Sequence, residues 1–172
     1  MDTEGIMKTK KKTVRYIFLI LITLNAALIF YLSAQNGAES AGTSGLLLEN
    51  VFGGLLRKLN IDLSDNSVFL FADHIIRKLA HFSEYALLGF NLSAFIHTFD
   101  KPKHFTALIS SASGFLYACT DEIHQYFVPA RSAQFSDVMI DTSGVITGIA
   151  IFFLISLIVS AIRKKTKMEH TN

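Results

Sequence analysis

The sequence predicts an all-α integral membrane fold: a four-transmembrane-helix bundle with an extracytoplasmic amphipathic helix between spans 1 and 2. Three observations carry this. Of 172 residues, 51% are hydrophobic and only 17% charged, where soluble domains carry about 25% charged residues. The apolar residues collect in runs that approach the roughly 20 residues needed to cross a bilayer. The remaining charges collect at the ends of those runs. Arg77, Lys78, His81, Glu84, Asp121, Glu122, His124, Arg131, Asp137 and Asp141 all sit at what read as same-side ends. An ionised group near the bilayer centre costs roughly 2.5–3.5 kcal/mol on insertion scales. Ten ionisable groups held at the border point to use as a set.

The expected organisation is a basic tail over 1–13, a membrane domain over 14–162 and a second basic tail over 163–172. The first span covers about 14–34 and follows Lys8, Lys10, Lys11 and Lys12, with Arg15 at its start. Its apolar core exceeds the roughly 7–15 residues of a signal peptide, and Leu32-Ser33-Ala34 is a poor cleavage site, so an uncleaved span is expected. Segment 35–45 is rich in Gly, Ser and Ala and is expected to be irregular. In 46–59, Leu48, Val51, Phe52, Leu55 and Leu59 recur at helical spacing. That segment suits a helix lying on the outer leaflet or, equally, a re-entrant hairpin or lid packed on the bundle. Residues 66–78 are expected to be a helix running into the second span, about 79–99. A polar turn over 100–104 leads to the third span, about 105–127, which Pro129 closes because the residue before proline is pushed out of helical geometry. The fourth span covers about 138–162, followed by Arg163, Lys164, Lys165 and Lys167.

With four spans, eleven of the sixteen Lys and Arg fall on one side, in the two tails and the 100–104 turn. The positive-inside rule then places both termini in the cytoplasm, consistent with a multi-pass protein of the plasma membrane. The net charge of +2 is spread around apolar segments rather than gathered on one face, which argues against a nucleic-acid partner. The tails instead suit contact with anionic membrane lipids. The single cysteine, Cys119, excludes an intrachain disulfide and a thiolate metal cluster, and packing is its expected role.

Helical geometry organises the polar residues. Arg77, His81, Glu84 and Leu88 share one stripe of the second span, with Lys78 on its edge. Ser110, Gly114 and Ala118 form a small-residue strip on the third span, which lets helices approach. That strip continues into Asp121, with His124 and Gln125 one turn on. Asp137, Asp141, Gly144 and Gly148 step by four along the fourth. Three helices thus bring polar faces together near the outer interface. Arg131, past the Pro129 turn, can fold over the pocket as a bidentate donor.

The motifs Arg77-Lys78-x-x-His81-Phe82-x-Glu84-Tyr85, Asp121-Glu122-x-His124-Gln125-x-Phe127-x-Pro129-x-Arg131, and Asp137 with Asp141-x-x-Gly144 resemble the VanZ-like family. So does the early Tyr31-Leu32-Ser33-Ala34-Gln35-Asn36-Gly37. The resemblance spans roughly residues 15–160. It implies a small bacterial membrane protein of the cell envelope, in a family named after a member associated with low-level teicoplanin (glycopeptide) resistance. It implies no settled reaction.

Three readings of the constellation follow. The pocket binds or modifies an envelope lipid or lipid-linked precursor, with an effect on glycopeptide susceptibility. Alternatively it is a metal- or His/Asp-dependent enzyme acting on an anionic lipid. His81 with Glu84, and Asp121 with His124, are pairs at i and i+3 that can each offer two ligands to a divalent ion, or His124 oriented by Asp121 can act as general base. Alternatively the polar network only fixes helix register. The candidate catalytic set is His81, Glu84, Asp121, Glu122, His124, Asp137 and Asp141. The candidate ligand-binding set is Arg77, Lys78, Gln125 and Arg131. Whether the protein is an enzyme, holds a divalent metal or forms an oligomer is open at this level.

Overall fold

The computed structural model describes residues 3–35, 42, 44–46, 48, 50, 53–58, 66–129, 131 and 134–169. Every regular element among them is helical. In chain order they are α1 (Thr3–Ser33), α2 (Gly53–Lys58), α3 (Asn66–His97), α4 (Lys103–Tyr126) and α5 (Phe135–Glu169). Within α1, Lys8–Ser33 is long and apolar enough to cross a membrane, with mean hydropathy 2.1. Within α5, Phe135–Met168 is too, with mean hydropathy 2.8. At a rise of about 1.5 Å per residue either exceeds the roughly 30 Å hydrocarbon layer.

The long helices follow the expected segments; α1 begins well before its segment and α5 overruns at both ends, while α3 and α4 stop one or two residues short of theirs. α1 continues back through the basic tail, and α3 joins 66–78 to the second apolar run without a break. Between α3 and α4 the chain turns on Asp100, whose φ of 56° lies in the left-handed region, a conformation aspartate tolerates better than most residues. Pro102 (ψ 149°) caps α4, and its carbonyl accepts the Thr106 N–H at 3.0 Å. The other end of α4 tightens, with Phe127 and Val128 N–H groups donating to the carbonyls of His124 and Gln125, both 3.0 Å, just before Pro129.

Small residues set the packing. α3 and α5 make the most extensive interface, because Gly144 lies against the Phe82 carbonyl, Gly148 against the Ala86 carbonyl and Gly89 against that of Val145. No side chain fits between the backbones there. Val145 also points its side chain at Gly114 of α4, so α5 is clasped by α3 and α4 together. Ile29, Tyr85, Leu88, Ala118, Val138, Val145 and Ile149 form the buried core, with Cys119 packed on it, as expected for that thiol. The α3–α4 seam is polar: Ser93 donates to Ser110 at 3.2 Å, both fully buried. α1 lies on α3 and α4, and the Tyr117 hydroxyl donates to the Ala26 carbonyl at 2.7 Å. Near the α3–α4 turn, Lys11 pairs with Asp100 at 2.6 Å, and Arg15 donates to the Thr98 hydroxyl and carbonyl.

Of the amphipathic segment expected over 46–59, α2 is described, whereas Val51, Phe52 and Leu59 lie outside the described residues. Leu48 is buried, Gly45 lies on the Phe69 ring and Ser44 donates to Asp73. Residues 44 and 45, just ahead of that segment, thus pack on α3. Residues 42, 44 and 45 are helical, where composition alone suggested irregular chain.

Candidate functional site

The end of the bundle formed by the second half of α4, the start of α5 and the first half of α3 holds a cavity of about 230 Å³. Its wall includes Arg77, Lys78, His81, Gln125, Arg131, Asp137 and Asp141, seven of the eleven residues expected at a site, together with His74, Gln134 and Ile140. Helical stepping places them. His74, Arg77, Lys78 and His81 follow each other on one face of α3, and Asp137 and Asp141 are one turn apart on α5.

Asp121 sits behind this wall, 3% exposed. One of its oxygens, Oδ2, accepts from the Ser33 hydroxyl at 2.9 Å and from Gln125 Nε2 at 3.2 Å. Its other oxygen, Oδ1, has no hydrogen-bond partner among the described residues. A donor atom from each of His81, Asp121 and Asp141 lies within 4.8 Å of the other two. The three come from α3, α4 and α5. The pairs expected within single helices give way to this inter-helical set. Helical spacing brings i and i+3 residues to one face, but the tight approach of α3 to α5 decides which groups meet across it.

His124 is placed differently from the expectation. Its ring stacks on Phe30, centroids 4.3 Å apart and planes 25° apart. Asp121 is oriented by Ser33 and Gln125, so the arrangement in which Asp121 orients His124 as a base does not form. Glu122 is buried and accepts the Gln134 backbone N–H, which ties the loop before α5 back onto α4. Glu84 lies one turn beyond His81, outside the cavity wall, within electrostatic reach of Asp121, and its Oε2 has no partner among the described residues.

The basic residues are also more committed than expected. Arg131 Nε and Nη2 donate to the carbonyls of Gln35 and Leu32, each at 3.2 Å, and Nη1 to Gln125 Oε1 at 3.3 Å. Its fork therefore clamps the end of α1, rather than reaching over the pocket as a free bidentate donor. Burial, with the nearby Arg77 charge, pulls its pKa below the usual guanidinium value, yet an arginine stays charged at neutral pH. Arg77 Nη2 pairs at 2.9 Å with Asp73, which is fully buried and also accepts from Ser44. Lys78 pairs with Asp137. Sequence reasoning passed over Ser33, Asp73 and His74 as site residues. The i,i+4 steps from Asp73 to Arg77 and from His74 to Lys78 were a usable signal for two of them. Ser33 lies inside the motif over 31–37, but its role as the partner of Asp121 comes from a helix that is distant in sequence.

This arrangement can hold a cation on carboxylate and imidazole donors, or meet an anion on the Lys78 and His74 side of the cavity. Neither a curated protein nor a solved structure matches the chain significantly. A family model does: the one described as VanZ/LLP1 matches residues 18–156. That stretch contains all four long helices in whole or large part and every residue of the cavity wall, and the chain belongs to the VanZ/LLP1 family.

Proposed function

We propose that this protein crosses the bacterial plasma membrane four times, with both termini in the cytoplasm, and binds the anionic headgroup of an envelope lipid or lipid-linked precursor in an outward-facing polar pocket. Holding or modifying such a precursor would alter glycopeptide susceptibility. Four spans rather than two are supported by the way α3 and α4 are turned. Their outer faces carry Leu79, Leu87, Leu108, Leu116 and Ile123, each more than half exposed, while Asn91, Ser93, Thr106 and Ser110 are buried. A helix with apolar residues outside and polar residues inside suits a hydrocarbon solvent. A membrane domain over 14–162 with basic tails on either side follows.

The observation that carries the binding reading is the cavity itself. About 230 Å³ is below the roughly 300–1,000 Å³ of pockets that enclose a drug-sized ligand. It suits a headgroup whose acyl chains remain outside, against the exposed apolar flanks. Lys78 and Arg77, although paired with Asp137 and Asp73, line it beside His74 and offer N–H donors to an anion. The test is native mass spectrometry of the full-length protein extracted in mild detergent. The unaltered protein is expected to retain a stoichiometric anionic amphiphile. Lys78→Gln combined with Asp137→Asn keeps a neutral hydrogen-bonding pair and is expected to lose it. Retention unchanged by that double substitution, or no retained amphiphile at all, would sink the reading.

A further inference from the structure

We propose that His81, Asp121 and Asp141 form a binding site for a first-row divalent cation, zinc or manganese, one ligand coming from each of three helices. The three donor atoms lie within 4.8 Å of one another. Metal–nitrogen and metal–oxygen bonds of about 2.0–2.2 Å require these atoms to draw closer together when the ion binds. One imidazole with two carboxylates is a donor set for zinc or manganese, rather than for magnesium or calcium, which take oxygen alone.

Two independent observations point to a cation. Asp121 and Asp141 are each 3% exposed, so their carboxylates meet with little water to screen them. Two such groups side by side are costly unless a positive charge lies between them. The neighbouring cations are committed elsewhere, Lys78 to Asp137 and Arg131 to Gln125 and two carbonyls. Second, two of the three groups keep a buried atom without a protein hydrogen-bond partner. Asp121 Oδ1 and His81 Nδ1 are both buried with no hydrogen-bond partner among the described residues. The other Asp121 oxygen is held by Ser33 and Gln125, the outer-shell arrangement that fixes a metal-binding carboxylate in place.

His81 and Asp141 also line the cavity. Three protein ligands leave at least one coordination position, on the cavity side, for water or for an oxygen of the bound headgroup. That last step rests on the headgroup reading; cation binding does not.

The test uses full-length protein in detergent, purified without chelator and with no lipid added. Isothermal titration with zinc sulfate and with manganese chloride, beside elemental analysis, is expected to give one ion per chain, and zinc is expected to bind more tightly than magnesium. His81→Gln and Asp141→Asn are expected to abolish stoichiometric binding. Ser33→Ala keeps all three ligands and is expected to weaken affinity by roughly tenfold. Because a ligand variant can misfold, the melting temperature is followed too, and zinc or manganese is expected to raise it in the unaltered protein but not in His81→Gln. No stoichiometric ion with no shift in melting would overturn the site, leaving the carboxylates to share a proton. Binding that survives His81→Gln, or magnesium binding as tight as zinc, would overturn it as well. Metal binding with no retained amphiphile sinks the headgroup reading alone.

Discussion

Gln125 is the residue on which most of the polar end depends. Its amide nitrogen serves Asp121 and Ser33, and its oxygen accepts from Arg131. Gln125→Leu has nearly the same volume but leaves a buried carboxylate and a guanidinium each short of a partner. Such groups cost about 1–3 kcal/mol each when unsatisfied, so a loss of that order is expected by thermal melting in detergent. Replacing the exposed Ser136 by Ala should stay within about 0.5 kcal/mol. At the other end, magnitude separates two basic residues. Lys11 and Asp100 are half or more exposed, and exposed pairs of this kind contribute little. Lys11 holds the Asp100 carboxyl below its usual pKa. Whatever the pair contributes is therefore present above the ordinary carboxylate range and is lost as pH falls through the lowered value. Lys11→Ala is expected to leave the melting temperature at neutral pH unchanged. Arg15 instead stacks over Phe99, 4.0 Å from the ring centroid, and makes two hydrogen bonds to Thr98. Arg15→Ala is expected to cost about 1 kcal/mol or more. Equal effects of the two substitutions would contradict this ranking.

At the scale of elements, the α3–α5 crossing determines the site. A Cβ at Gly148 would collide with the Ala86 carbonyl and the Phe90 nitrogen, both backbone atoms, so no side-chain rotation relieves it. Gly148→Val is expected to destabilise by at least the roughly 1–3 kcal/mol typical of overpacking and to separate Asp141, about two turns along α5 from the contact, from His81. Its readouts are a lower melting temperature and lost cation binding. Gly54 in α2 meets nothing within 4 Å, and Gly54→Ala is expected to be neutral or mildly stabilising. The existence of the four long helices was legible in the sequence, because apolar run length and 3.6-residue spacing are local. The stripe of Asp137, Asp141, Gly144 and Gly148 was read correctly as a packed face. Which groups meet across that face was not legible. The i,i+3 pairs His81–Glu84 and Asp121–His124 are natural choices on single helices, but in the bundle His81 meets Asp121 of α4 and Asp141 of α5, and His124 stacks on Phe30 of α1.

At the scale of the whole molecule, the proposed topology makes a direct prediction. In a Cys119→Ser background, Ser136→Cys is expected to react with an impermeant maleimide in intact cells. Lys101→Cys is expected to react only after permeabilisation, and the opposite pattern would reverse the orientation. The membrane character, the order of the helices and most of the pocket wall were determined by the sequence itself. Hydropathy, helical period and charge placement are properties of neighbouring residues, and a bilayer amplifies them by penalising every misplaced polar group. The tertiary structure decided the rest: Arg131 clamps α1 rather than covering the pocket, Ser33 orients Asp121 from 88 positions away, and three helices contribute one ligand-type group each. Those outcomes depend on how closely glycine-bearing backbones approach, a distance that no single helix encodes.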